Sequence, residues 1–308
     1  MSNISPPLVL SRELYLFASN AVDFLWTLYL FTRDDMLTLI IPTAIYGTFA
    51  APPETMHHII PRLTWIWVNL LEFNLANQTV DADEDAMNKP WRPIPSKRIS
   101  QTTARMLRWI LLPICFVLSC AFRVPLDCLV IHIGNICYHD LGFASHWVGK
   151  NLVNGLGLAA FNGGASMIMH HYSLTGSASG SRRDIQILNF LLISTTIHAQ
   201  DFRDVVGDHA TGRLTIPLAY PRASRLSMLV LLPAWSLFLC LFWHVPAFVS
   251  TVVCAFATYV GLQFCWNGGT SAKDNAGYRD YNIWLCFVHV LPFLADGGAA
   301  RVLLSPIS

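Results

Sequence analysis

The chain has 308 residues, of which 54% are hydrophobic and only 13% charged, and its mean hydropathy is +0.45. Soluble proteins average roughly 45–50% apolar residues, so the composition excludes an ordinary soluble domain and predicts an all-α integral membrane bundle. A net charge of +1 excludes the concentrated basic surface that a nucleic-acid partner requires.

The N-terminal "MSNISPPLVLSRELYLF" places Pro6, Pro7 and Glu13 where a cleaved signal needs an unbroken apolar stretch. Targeting is therefore expected to fall to the first transmembrane helix. Residues 1–35 are expected to form a cytosolic or interfacial segment of one domain covering 1–308. Within that segment, 14–32 is apolar over most of a helical surface but carries Asp23, the pattern of a helix lying at the membrane interface.

A spanning helix needs roughly 20 mostly apolar residues. Such stretches number about nine, near 36–51, 58–76, 104–122, 125–141, 152–170, 185–200, 227–243, 246–265 and 281–297. With nine spans, fifteen of the twenty Lys and Arg residues fall on the side of the N-terminus and of the loops after the even-numbered spans. Cytosolic loops carry such an excess, so those loops are expected in the cytosol, with the endoplasmic reticulum as the expected membrane. All eight cysteines lie in apolar stretches without a C-x-x-C pair, which predicts neither a zinc site nor a disulfide framework.

The scarce charges concentrate after the second and sixth spans. The first segment reads "NQTVDADEDAMNKPWRPIPSKR" (77–98) and the second "AQDFRDVVGDHATGRLTIPL" (199–218). Each runs from an apolar helix through spaced carboxylates to a base and a proline, and the two lie about 123 residues apart. The first eight helices are thus expected to form two four-helix repeats, with a ninth added. Paired polar breaks in the two halves of a membrane protein point to a shared site.

Asn77, Asp81 and Asp85 are spaced i, i+4, i+8, and Asp201, Asp204 and Asp208 i, i+3, i+7, so each trio shares one helical face. Asp83 and Glu84 fall off that face and are expected to be solvated. Like charges at these spacings destabilise a helix unless cations neutralise them. Carboxylate and amide oxygens without His or Cys favour a hard ion, and Mg²⁺ commonly takes one or two carboxylates and completes its shell with substrate phosphates. Lys89, Arg92 and Arg213 lie within two turns of the acids, where they can hold phosphate oxygens. Asp81, Asp85, Asp204 and Asp208 are the expected catalytic acids. The EF-hand spacing and the P-loop are both absent from the sequence. A metal–diphosphate site opening into a bundle in lipid suits a substrate with a long hydrocarbon tail. Trp65, Trp67, Phe73, Tyr46 and Phe49 are aromatic faces near enough in sequence to meet a carbocation.

These motifs resemble the UbiA superfamily of intramembrane prenyltransferases. Its N-x-x-x-D-x-x-x-D motif falls on Asn77, Asp81 and Asp85, and its second aspartate motif on Asp201, Asp204 and Asp208. "NKPWRPIPSKRIS" is similar to the family's R-P-I-P-S-G-R-I-S continuation, with Lys97 in place of the usual glycine. The resemblance implies nine helices, a Mg²⁺-dependent site on the cytosolic side and a prenyl diphosphate substrate. By the same analogy Lys150 and Asn151 approach the diphosphate. The wording of both motifs and the divergent middle are most similar to a fungal branch that includes membrane-bound class I terpene cyclases of secondary metabolism. Three readings stay open. A cyclase would quench the cation, formed from farnesyl diphosphate for example, with the substrate's own double bonds. A prenyltransferase would send it to an acceptor, for which Arg33, His170 and His171 are the polar candidates. A transporter would use the acids to bind cations, and would place them nearer mid-membrane.

Overall fold

A computed structural model of the chain describes the backbone of residues 6–50, 59–172, 182–266, 271–291 and 294, and side chains within those ranges except 6–17, 50, 169–172, 182–184 and 271. The chain is helical throughout the described residues apart from its connecting turns. Helix α1 (Pro6–Thr32) leads through a short 3₁₀ turn and a π-turn over 33–40 into α2 (Ile41–Ala50). Then follow α3 (Ile59–Val80), α4 (Ala82–Asn88), α5 (Gln101–Ala121), α6 (Pro125–Asn135), α7 (Trp147–Tyr172), α8 (Arg182–Thr196), α9 (Asp201–Ala210) and α10 (Ile216–Ala219). The order closes with α11 (Pro221–Phe242), α12 (Ala247–Trp266) and α13 (Ser271–Val290).

Three of these helices, α5, α11 and α12, are long and apolar enough by length and composition to cross a membrane. The perimeter is strongly apolar: Val117, Leu126 and Phe248 are each more than two-thirds exposed, as lipid-facing residues are when the backbone satisfies itself within helices. The last expected stretch, 281–297, is described only to 291 and at 294.

The interior falls into clusters belonging to the two halves. Trp65, Ile66, Leu70, Ile131, Phe161 and Ile168 pack in the first half. Leu192, Met228, Leu232, Phe264, Tyr281 and Trp284 pack in the second. Helix α7 lies between them and contacts α2, α3, α6 and α8. Its glycines and alanines allow such close approach, which is how helices associate where lipid removes the hydrophobic drive. All eight cysteines are free.

In the polar segments after the second and sixth expected spans the acid-bearing parts are helical and the basic parts that follow are turns. Helix α3 continues to Val80, breaks at Asp81 (φ −100°, ψ 24°) and resumes as α4. Helix α8 narrows to a 3₁₀ turn over 197–200 before α9. The connection after α4 contains Lys97 at φ 61°, a left-handed conformation that costs a residue with a Cβ about 1–2 kcal/mol. Glycine, which the resemblance implies at this position, adopts that conformation without the cost. Lys97→Gly is therefore expected to stabilise the chain by about 1 kcal/mol, read as a thermal midpoint about 2–4 °C higher in purified protein.

Candidate active site

Helices α4 and α9 pack against each other, and this contact brings the two acid rows together. Close approach depends on Gly207: a Cβ there would strike the Asn88 amide and come within 2.9 Å of Glu84 Cγ. The chain then reverses at Gly212, whose φ of 72° ends α9. The Arg213 N–H bonds the Asp208 carbonyl at 2.9 Å, as at a left-handed helix C-cap. A short parallel bridge, Trp147 N to Leu214 O at 2.9 Å and Leu214 N to Ser145 O at 2.8 Å, fixes this loop on the start of α7. Arg213 is thereby aimed across to the other half.

A polar cavity of about 100 Å³ lies between the rows. Asn77, Asp81, Glu84, Asp85 and Asp204 line it, with Lys89, Arg92, Lys150 and Arg213. The acids are held by bases. Arg92 Nη1 donates to both Asp85 oxygens at 2.9 Å and to Asn77 Oδ1 at 3.1 Å. Lys89 Nζ reaches Asp204 at 3.2 Å, and Lys150 Nζ reaches Asp201 at 2.7 Å. Arg213 pairs with Asp81, with Glu84 at 2.8 Å and with Asp208 at 3.9 Å.

The titration of these groups follows from their setting. Burial, only partly offset by Arg213, pushes Glu84 up to about 7. Burial also raises Asp201 to about 6 against the pull of Lys150, and raises Asp208. Asp204 is the exception: against the cost of burial, Lys89 and Arg203 hold it below the usual carboxylate value.

All the acids and bases expected from sequence converge here except in two respects. Asp201 and Asp208 are fully buried behind the cavity wall, and Asp201 faces Lys150. Asn151 turns instead to a groove with Trp147, His198 and Tyr220, while Asn154, one turn beyond Lys150, lines the cavity. Glu84 corrects the reading of it as a solvated residue. It is 5% exposed because the break at Asp81 restarts the helix and rotates it inward. Asp83 is exposed, as expected. Arg33 is exposed, is not among the residues lining the cavity, and pairs at 3.5 Å with Asp34, which lies 3.6 Å from Arg92; the side chains of His170 and His171 lie outside the described residues.

Among the described residues, no three His, Cys, Asp or Glu side chains form a preformed metal cage; bases stand between the acids. The donor set still fits Mg²⁺. Both Asp208 oxygens are buried without a hydrogen-bond donor, and carboxylate and amide oxygens are hard ligands. A Mg²⁺ ion that shares its shell with phosphate needs only one or two carboxylates.

A second, apolar cavity of about 120 Å³ continues inward. Asp35, Phe73, Asn154, Gln200 and Tyr278 line both, so the two are contiguous. Leu39, Leu70, Ile131, Leu158, Phe161 and Leu285 are among its other walls. Of the aromatic candidates, Phe73 reaches the junction. Trp65 is core packing, 5.9 Å from the Phe161 ring and donating to Ser119 at 2.7 Å. Sequence reasoning missed Asp35, which accepts from Asn74 at 2.8 Å and Thr38 at 2.9 Å, and Tyr278, whose ring stacks under Arg203 at 4.3 Å. Nothing local in the sequence marks them, since both come from elements remote from the motifs.

Comparison with known proteins gives a consistent result. The UbiA prenyltransferase family model matches residues 39–285. The chain is 32% identical over 279 residues to the fumagillin beta-trans-bergamotene synthase of Aspergillus fumigatus, covering 88% of this chain and 93% of that protein. It is 34% identical to the somaliensene A/B synthase of Streptomyces somaliensis, over 62% of this chain and 64% of that one. The structure of a UbiA homolog from Archaeoglobus fulgidus bound to GPP and Mg²⁺ superposes with a TM-score of 0.63 at 14% identity, covering 86% of this chain and 99% of that one.

Proposed function

The chain belongs to the UbiA prenyltransferase family of integral membrane proteins, and we propose that it ionises a prenyl diphosphate within the membrane and cyclises the chain to a terpene hydrocarbon. The observation that carries this reading is the joined pair of cavities, one lined by acids and bases, the other by apolar and aromatic side chains. A diphosphate head fits the first and a hydrocarbon tail the second. The likeness to relatives named as terpene synthases supports it.

In this reading Asn77, Asp81, Asp85, Asp204 and Asp208 would hold Mg²⁺, while Asp201 serves to hold Lys150. When bound, the metal supplies charge neutralisation to the departing diphosphate. Lys89, Arg92 and Arg213 turn from the carboxylates to the diphosphate oxygens as the substrate enters, and Lys150, held by Asp201, meets them from the cavity wall. Breaking the allylic C–O bond sends its electron pair away with the diphosphate and leaves a carbocation. A distal double bond of the same chain supplies the electrons for the new C–C bond. Loss of a proton from a neighbouring carbon then restores a double bond, so each hydrocarbon is matched by one diphosphate and one proton. Phe73 and Tyr278 stand where the two cavities meet, with ring faces that suit the charge. We place the remaining long helices across the bilayer with α5, α11 and α12, as nine spans in all, and the acid rows on the cytosolic side of the endoplasmic reticulum.

A second reading, transfer to an acceptor, is favoured by one observation. A further cavity of about 280 Å³, lined by Asp83, His139, Ser145 and Thr211, adjoins the acid site through Asp81, Glu84, Tyr138 and Arg213. One experiment separates the two. Purified protein in nanodiscs is given farnesyl or geranylgeranyl diphosphate and Mg²⁺ without acceptor, and the hydrocarbon extract is analysed. A cyclic hydrocarbon in one-to-one ratio with diphosphate is expected, lost on chelation. No turnover until an aromatic acceptor is added would overturn cyclisation in favour of transfer.

A further inference from the structure

A buried polar cluster adjoins the apolar cavity and takes no part in the acid site. Glu72 on α3 is fully buried, and Arg108 on α5 lies 3.4 Å from its Oε1. His132 Nδ1 on α6 lies 3.0 Å from Oε2. Asn135, also on α6, donates from Nδ2 to the same oxygen at 2.7 Å. Arg108 is in turn fixed by Asp140 through two bonds of 3.1 and 2.6 Å. Ionisable groups inside a membrane protein are costly to keep there and mark function.

Asn135 is the member of this cluster that reaches the cavity. It is 1% exposed, and its Oδ1 has no hydrogen-bond donor among the described residues. A buried acceptor left unmatched calls for an explanation. The amide cannot turn over to find one, because its Nδ2 is held by the Glu72 carboxylate. That bond also polarises the amide and increases the negative charge on Oδ1. The backbone widens into a π-turn (Ile136–Asp140) directly after Asn135, a distortion frequent at functional positions.

We propose that Asn135 Oδ1 is a catalytic dipole for the hydrocarbon end of the reaction, the point at which positive charge migrating along the prenyl chain is held while the chain folds. Glu72 is the positioning residue behind it, with Arg108 and His132 fixing Glu72. A fixed dipole aimed where charge develops stabilises the transition state without reorganising. The inference rests on the proposed ionisation of a prenyl diphosphate but not on whether the cation is later closed on itself or passed to an acceptor.

The test is equilibrium binding, with Mg²⁺ and inorganic diphosphate, of a farnesyl chain carrying a protonated tertiary amine in place of its central branch carbon. Its all-carbon counterpart is the reference. The wild type is expected to bind the amine at least ~10-fold more tightly, a difference of ~1.4 kcal/mol. Asn135→Leu, and the smaller Asn135→Ala should Leu not fold, are expected to bring that preference to within ~2-fold. Glu72→Gln, which keeps an acceptor but removes the charge, is expected to give an intermediate value. In turnover, the Asn135 variants should lose cyclisation several-fold more than they lose diphosphate release, so that the acyclic share of product rises several-fold. A role confined to packing would lower both together. No amine preference in the wild type, or an undiminished preference in a folded Asn135 variant, would overturn the proposal. Neither result touches the acid site, whose failure would instead appear as loss of diphosphate release.

Discussion

Asp81→Asn and Asp204→Asn, one from each row, are each expected to lower turnover by at least ~10³-fold, about 4 kcal/mol of transition-state stabilisation. Both carboxylates line the polar cavity that forms where α4 packs on α9. Asparagine keeps the size and one oxygen but removes the charge, so folding should survive where ligation does not. Asn77 donates to Asp81 at 3.1 Å and Lys89 to Asp204 at 3.2 Å; an amide oxygen can still accept both bonds. Asp83 is the internal control. It lies between the same motif residues but is exposed, and Asp83→Asn should leave turnover within ~2-fold. Steady-state rates on purified protein decide the matter. Full activity in both row variants would remove the metal assignment under either the cyclase or the transferase reading.

Arg213→Met should separate stability from catalysis. Among the described residues Arg213 is the base that pairs with acids of both rows, Asp81 and Glu84 on one side and Asp208 on the other, and Lys89 adds a second link through Asp204. Without it three carboxylates face each other with little water between them, and breaking a buried ion pair costs about 3–5 kcal/mol. The side chain is 14% exposed, so the lower part of that range applies. The thermal midpoint without metal should drop by several degrees. Millimolar Mg²⁺ should then restore most of the loss, because a divalent cation answers the same repulsion. Turnover should nevertheless stay ~10²-fold low, since charge-assisted hydrogen bonds of about 1.5–3 kcal/mol each are missing from the diphosphate. A variant as stable as the wild type without Mg²⁺ would show that Arg213 does not hold the rows together.

How much of this was legible in the sequence depends on whether the information was local. The two trios of Asn and Asp were, because a shared helical face is a matter of spacing alone. Lys89, Arg92 and Arg213 were too, since each follows its own acid row within a few turns. Glu84 was misread for a physical reason: spacing arguments assume a straight helix, and the break at Asp81 turns Glu84 inward to meet a base from the other half of the chain. Lys150 entered only through family likeness, and its neighbour Asn151 faces away while Asn154 takes its place, the i+4 relation that a helix starting at Trp147 imposes. Asp35, Tyr278 and Asn135 carry no motif at all. They matter because long-range packing brings the turns over 33–40, α6 and α13 around one cavity. The long helices were visible as apolar stretches, and the polar α4 and α9 only through the shared face of their acids. At Lys97 the sequence showed a departure from the family glycine, and the left-handed backbone supplies its meaning.

The central claim is that the two acid rows together hold the metal that meets the diphosphate. Its most direct test is Mn²⁺ titration, followed by electron paramagnetic resonance, of the protein saturated with farnesyl thiolodiphosphate, a substrate whose carbon–sulfur bond resists cleavage. The wild type should retain Mn²⁺ in the presence of the analogue. Asp81→Asn and Asp204→Asn should each weaken that binding by ~10-fold or more, and Asp83→Asn should not. Mn²⁺ binding that survives undiminished in both row variants would contradict the account.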